Sequence, residues 1–166
     1  MMNRRAWPFV WLTAMLSALL VAACGESTRT AYSRFENIAK DGWDPADVLV
    51  FEPYPSDSTA AAPTGYEMTL VLRYSPRSNP MAVPVALMIE DETGVLRADT
   101  LAVGPGGSDV SYSERRTLGV REYALTLEPH LRLTDGYSVT ISPLAPRERT
   151  AGLLNVGIIL KRNTLQ

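Results

Sequence analysis

Residues Tyr66 to Val103 read YEMTLVLRYSPRSNPMAVPVALMIEDETGVLRADTLAV, and the period of this stretch decides the fold. Met68, Leu70, Leu72 and Tyr74 alternate with Glu67, Thr69, Val71 and Arg73. A repeat of two sends successive side chains to opposite faces of a strand, so one set faces a core. Val85, Leu87 and Ile89 alternate with Ala86, Met88 and Glu90 in the same way. Glu90-Asp91-Glu92-Thr93-Gly94 breaks the chain, and Val95 to Val103 runs back as the partner of a hairpin.

The same pattern extends in both directions. Val48 to Glu52 is a short strand candidate. Tyr123, Leu125 and Leu127 alternate with Glu122, Ala124, Thr126 and Glu128, and Tyr137, Val139 and Ile141 with Ser138, Thr140 and Ser142. Leu153 to Lys161 is nearly continuous in apolar residues, which predicts a central strand. Tyr32 to Ile38 is expected as a turn of helix or an irregular lead-in. Asp41 to Asp47 is a turn cluster around Trp43, and residues 53–65 are a loop rich in Pro, Ser, Ala and Thr. The prolines fall in loops, as ladder hydrogen bonding requires; Pro84 is the exception and marks a strand start or an edge. The sum is an all-β chain, an antiparallel β-sandwich of about seven strands, with a partly closed barrel as the alternative.

The first residues are of a different kind. Arg4 and Arg5 are followed by an uncharged run from Ala6 to Ala23 that ends in Val21-Ala22-Ala23-Cys24. A basic start, an apolar core and small residues before a break describe a secretory signal. With cysteine at the break, the pattern resembles the lipobox of bacterial lipoproteins. There the thiol takes diacylglycerol, the signal is cut before it and the new amine is acylated. Cys24 is the one cysteine of the 166 residues, so no disulfide can form within the chain. An uncleaved anchor is the competing reading, because a spanning helix needs about 20 apolar residues. The expected organisation is a signal over 1–23, a tether over 24–31 and one domain over 32–166, anchored through Cys24. A domain of that size can hold its own core.

Composition removes several classes of function. The formal net charge is −2, and loss of Arg4 and Arg5 leaves the remainder more acidic. No basic patch with interleaved aromatics is present, which argues against nucleic acid as a partner. One histidine and one cysteine leave little for zinc or iron. His130 lies in EPHLRLTDG without a Ser or Cys motif to activate, and a general base needs a positioned partner. Glu90-Asp91-Glu92 has oxygen ligands for Ca²⁺ but reads as a solvated turn. Gly104-Pro105-Gly106-Gly107 lacks the lysine and helix start of a phosphate cradle. No pair of carboxylates stands out for glycoside hydrolysis. The expectation is a protein that is not an enzyme and has no cofactor and no metal site.

The segments FENIAKDGWDPADVLVFE, YEMTLVLRYSPRSNPMAVPVALMIEDETGVLRADTLAV and TAGLLNVGIILKR resemble the gliding-motility lipoprotein GldH family. The matching residues are Phe35, Trp43, Leu72, Arg73, Gly94, Asp99, Thr100, Leu101, Gly152, Val156 and Gly157. Order and spacing carry the likeness, over nearly the whole chain after the signal. The family usually has a tryptophan-glycine segment where this chain has GPGGSDVSYSE, and a methionine-arginine pair where Pro146-Arg147 stands. The resemblance implies a non-enzymatic accessory or assembly factor of the gliding and type IX secretion apparatus. Its partners would be the membrane, through the lipid, and other envelope or motility lipoproteins. Gly25 is not the aspartate that retains many lipoproteins in the inner membrane, and Glu26-Ser27-Thr28-Arg29 is not the acidic run of surface-exported ones. The expected location is therefore the outer membrane, facing the periplasm. The alternative function is a ligand-binding sandwich, for example for glycans, with Tyr54, Tyr66, Tyr74 and Tyr112 as stacking candidates.

Overall fold

The computed structural model describes residues 30–54, 65–107, 112–117 and 119–163. Cys24, the signal and most of the tether lie outside the described residues. Those described form nine strands: β1 (Thr30–Asn37), β2 (Leu49–Phe51), β3 (Tyr66–Tyr74), β4 (Val83–Asp91), β5 (Gly94–Val103), β6 (Ser113–Thr117), β7 (Val120–Leu131), β8 (Ser138–Pro143) and β9 (Leu153–Arg162). A 3-10 turn, Arg147–Thr150, precedes β9.

The strands make two sheets. The five-stranded sheet has the order β1-β9-β3-β7-β6 and the four-stranded sheet β2-β8-β4-β5. Every pairing is antiparallel. The all-β expectation holds, and two sheets around one core are consistent with a β-sandwich. The core follows the alternation read from the sequence. Met68, Leu70 and Leu72 of β3 meet Leu160, Ile158 and Val156 of β9 in register, all fully buried. Val85, Leu87 and Ile89 of β4 and Val139 and Ile141 of β8 close the core from the other sheet. β9 is central, between β1 and β3, which explains its unbroken apolar run. Leu70→Ala and Ile158→Ala should each cost about 2–5 kcal/mol. Chemical denaturation followed by far-ultraviolet circular dichroism checks this, and a helix-dominated spectrum would contradict the fold.

The structure corrects the sequence reading at β1 and at β6, and of the two readings of Pro84 it bears out the strand start. Tyr32 to Asn37 is neither helix nor irregular: it belongs to β1, which begins at Thr30, so the strand takes the last two residues given to the tether, and Ile38 lies just past its end. No period was visible there because β1 is an edge strand. Arg34 and Glu36 share a face with the core side chains of β9 but reach past its rim and pair with each other at 2.8 Å. β6 is the second addition; Ser113, Glu114, Arg115, Arg116 and Thr117 are all exposed, so no alternation marks them. Pro84 starts a strand but not an edge one, since β4 lies between β8 and β5. The missing N–H costs little there, and the Pro84 carbonyl accepts from Leu144 N at 2.8 Å.

The connections gather at two ends. Thr30 lies opposite Lys161 at one end, with Gly65, Asn163, the β4–β5 turn and the β7–β8 connection. That cluster is tied by Thr134 Oγ1 donating to Asp91 Oδ2 at 2.8 Å and Glu92 N to Asp135 O at 3.4 Å. The opposite end carries the β1–β2 connection with Trp43, the β3–β4 loop, Gly104–Gly107 and the 3-10 turn. There the β1–β2 connection is latched. Trp43 is buried, its backbone N–H donates to Thr150 Oγ1 at 2.6 Å and its indole N–H to Asp47 O at 2.9 Å. Arg147 donates to Asp41 at 2.6 Å and also to Asp44. Gly42 has φ +113°, and a Cβ there would strike Arg147 O, so only glycine lets the two segments meet.

Candidate functional site

The two outer sheet faces differ in chemistry, and the difference marks the site. The outer face of the five-stranded sheet is of the usual charged kind. Arg73 pairs with Glu122 at 2.8 Å and stacks over Phe35 at 3.7 Å, while Glu67 stands opposite Lys161. Phe35 lies on Gly157, where a Cβ would come within 2.3 Å of the ring. The outward face of that ring is thus covered by a guanidinium.

The outer face of the four-stranded sheet carries no charge over three consecutive rungs. The register places Val50, Thr140, Met88 and Ala98 in one rung and Ser142, Ala86 and Thr100 in the next, with Val48 beside Ser142. The third rung holds Leu144, Pro84 and Ala102. Val48, Val50 and Leu144 are 53%, 46% and 54% exposed. Charge returns on the next rung, at Glu90, which accepts from Ser138 Oγ at 3.4 Å, and at the exposed Glu52 just past β2. Arg97 and Asp99 project from the other side of β5. There Arg97 reaches across to β7, donating to Leu127 O at 2.9 Å and Glu128 at 3.0 Å, and to Asp99 at 2.8 Å. The Arg97 hydrogen bond holds the Asp99 carboxyl below its ordinary range. A solvated sheet face of small and apolar residues offers an association surface that needs no charge to be desolvated.

The sheet edges offer less. β2 has three residues. β6 is short and charged. β1 carries the Arg34–Glu36 pair and a register shift at its start. β5 has a register shift near Glu90 and charged residues at 97 and 99, and Gly107 packs within reach of Ala102 O. These are the devices by which edges resist pairing with another strand.

The residues singled out from the sequence are scattered. Cys24 is outside the described residues. His130 is exposed, and its Nδ1 lies 3.3 Å from Asn163 Nδ2, which also donates to Pro129 O. Asp91 is held by Thr93 and Thr134 hydroxyls, which lower its pKa, and so closes its own turn. Among the described residues no three His, Cys, Asp or Glu stand in an arrangement that could hold a metal. Gly104 and Gly107 close a turn through Gly107 N to Gly104 O at 3.2 Å.

The four tyrosines do not form a platform. Tyr66 and Tyr74 are core residues, and Tyr112 meets the buried Tyr123 edge-on at 5.5 Å. Tyr74 packs against Tyr123 in the same manner at 5.8 Å, and burial drives both hydroxyls upward in pKa. Tyr54 alone is on the surface, 75% exposed, beside a cleft shared with Glu52, Thr134 and Asp135. The uncharged sheet face itself was not found from the sequence. Its signal was there in Ala86, Met88, Ala98 and Thr100, which occupy positions where a solvated strand usually carries charge.

Comparison with known proteins finds no matching family model, no matching curated relative and no matching solved structure. The likeness to GldH therefore rests on the sequence segments alone.

Proposed function

We propose that this protein is a lipid-anchored accessory or assembly factor of a bacterial envelope, of the GldH kind, preceded by a lipoprotein signal cut before Cys24. It acts by binding other envelope proteins and not by catalysis. The observation that carries the reading is the uncharged outer face of the four-stranded sheet, set against the charged face of its neighbour. The guarded edges direct the binding role to this face and to the loops, and away from strand addition. The lipobox-like Val21 to Cys24 supports the anchor, and Gly25 supports the outer membrane. The GldH-like segments support a place beside the gliding and type IX secretion machinery.

Protease added to intact cells should spare the protein, and protease added after permeabilising the outer membrane should digest it. Cross-linking in the native cell should capture other envelope lipoproteins. The second reading, a glycan-binding module, has the exposed Tyr54 and the carboxylates of Glu52 and Asp135 in its favour. Digestion in intact cells, with binding to a purified glycan and no captured protein, would decide for that reading.

A further inference from the structure

We infer that β6, with Tyr112 leading into it, is a flap that opens while the rest of the sandwich stays closed, driven by unpaired polar atoms of Tyr74, Tyr123 and Arg121 beneath it. The inference stands apart from the anchor and from any partner.

Little holds β6 shut. It is the outermost strand of its sheet and pairs with β7, Ser113 opposite Ala124 and Thr117 opposite Val120. All five of its residues are exposed, and none is a large apolar one. Its ion pairs are solvated. Arg116 and Arg121 share Glu114, at 2.8 and 3.4 Å, and the Arg116 side chain is 71% exposed. What remains is the ladder to β7 and the edge-on contact of Tyr112 with Tyr123 at 5.5 Å. A segment that buries so little opens locally at a fraction of the cost of unfolding the core.

The groups beneath the strand favour opening. Tyr123 stands between Leu72 of β3 and Glu114 of β6, and Tyr74 stands opposite Arg121. Tyr74 and Tyr123 are 1% and 0% exposed, with their rings 5.8 Å apart. Tyr74 Oη, Tyr123 Oη and Arg121 Nε are shut off from solvent, and none has a hydrogen-bond partner. Among the described residues the other such side-chain atom is Tyr32 Oη, on β1. The remaining nitrogens of Arg121 are used: Nη1 donates to Ser78 O at 3.2 Å and Nη2 to Glu114 at 3.4 Å. Buried polar groups are nearly always bonded, so each one left unpaired weighs against the closed state. Three in one neighbourhood make a local fault that hydration relieves. β3 closes one side of Tyr123, so lifting Tyr112 and β6 from the other lets water reach Tyr123 Oη and Arg121 Nε. The open form presents the Tyr123 ring and the Arg121 guanidinium together, a surface the closed form hides. β3 and β9, by contrast, meet through buried apolar pairs such as Leu70 with Ile158.

Hydrogen exchange of the full-length protein, read residue by residue by NMR, tests this. The β6 amides that bond to β7 should exchange about a hundredfold or more faster than the β3 amides that bond to β9. Tyr74→Phe and Tyr123→Phe each keep the ring and delete one unpaired hydroxyl. Each should slow β6 exchange by about tenfold and leave the melting temperature unchanged or higher. A hydroxyl that bonds to water or to another group gives the opposite sign, because phenylalanine then removes a bond. Tyr112→Ala takes away the ring that covers Tyr123, so it should speed β6 exchange severalfold and leave the β3 amides as they were. β6 amides as slow as those of β3 would overturn the inference. So would a phenylalanine variant with unchanged or faster β6 exchange or a lower melting temperature, or a Tyr112→Ala effect shared equally by β3.

Discussion

Trp43→Ala is expected to destabilise the domain by about 3–5 kcal/mol. The indole is 1% exposed, and it sits where the β1–β2 connection meets the 3-10 turn. Its removal leaves a cavity and also frees Asp47 O, which the indole N–H satisfies at 2.9 Å. The backbone bond to Thr150 Oγ1 depends on the same packing. Domains of this size hold about 5–15 kcal/mol in all, so the loss is a large share. Thermal unfolding should show a fall of about 10–20 °C. Trp43→Phe keeps most of the volume and loses only the N–H, so it should cost far less. A change in melting below a few degrees for Trp43→Ala would show that the latch does not support the core. Arg147 is partly solvated, with its side chain 38% exposed, and its pairs with Asp41 and Asp44 contribute less than the indole.

Cys24→Ala should remove nearly all membrane association. One acyl chain holds only reversibly, at about 0.8 kcal/mol for each buried CH₂, while two or three chains hold stably. A substitution that prevents all of them takes away the whole anchor. Labelled palmitate should enter the wild type alone, and the Cys24→Ala form should appear either soluble or with its signal uncut. Label retained by Cys24→Ala would sink the lipid assignment.

Several elements were legible before any coordinates because their causes are local. β4 buries one face, so Val85, Leu87 and Ile89 recur at a period of two whatever the rest of the chain does; β3 alternates in its largest side chains, and β9, buried on both faces at its middle, shows as a nearly continuous apolar run. The β4–β5 hairpin was legible because Asp91 and Thr93 close the turn within themselves. β1 and β6 were not, since edge strands bury little and their pattern is set by their neighbours. Tyr66 and Tyr74 stood as stacking candidates because a tyrosine is written the same way inside and outside a core, although the period of two already set Tyr74 in line with Met68, Leu70 and Leu72; both are buried.

The candidate face shows the same division. An all-β chain, its main strands and most of its core can be read from the residues alone, because alternation is a property of neighbouring residues. So can the absence of charge at Ala86, Met88, Ala98 and Thr100. The folded chain brings β2, β8, β4 and β5 side by side, so that these positions join Val50, Thr140 and Ser142 in one surface. It likewise sets Thr30 and Leu144 at opposite ends. Strand order is fixed by contacts between residues far apart in the chain, through the burial of a shared core, and no local period encodes it.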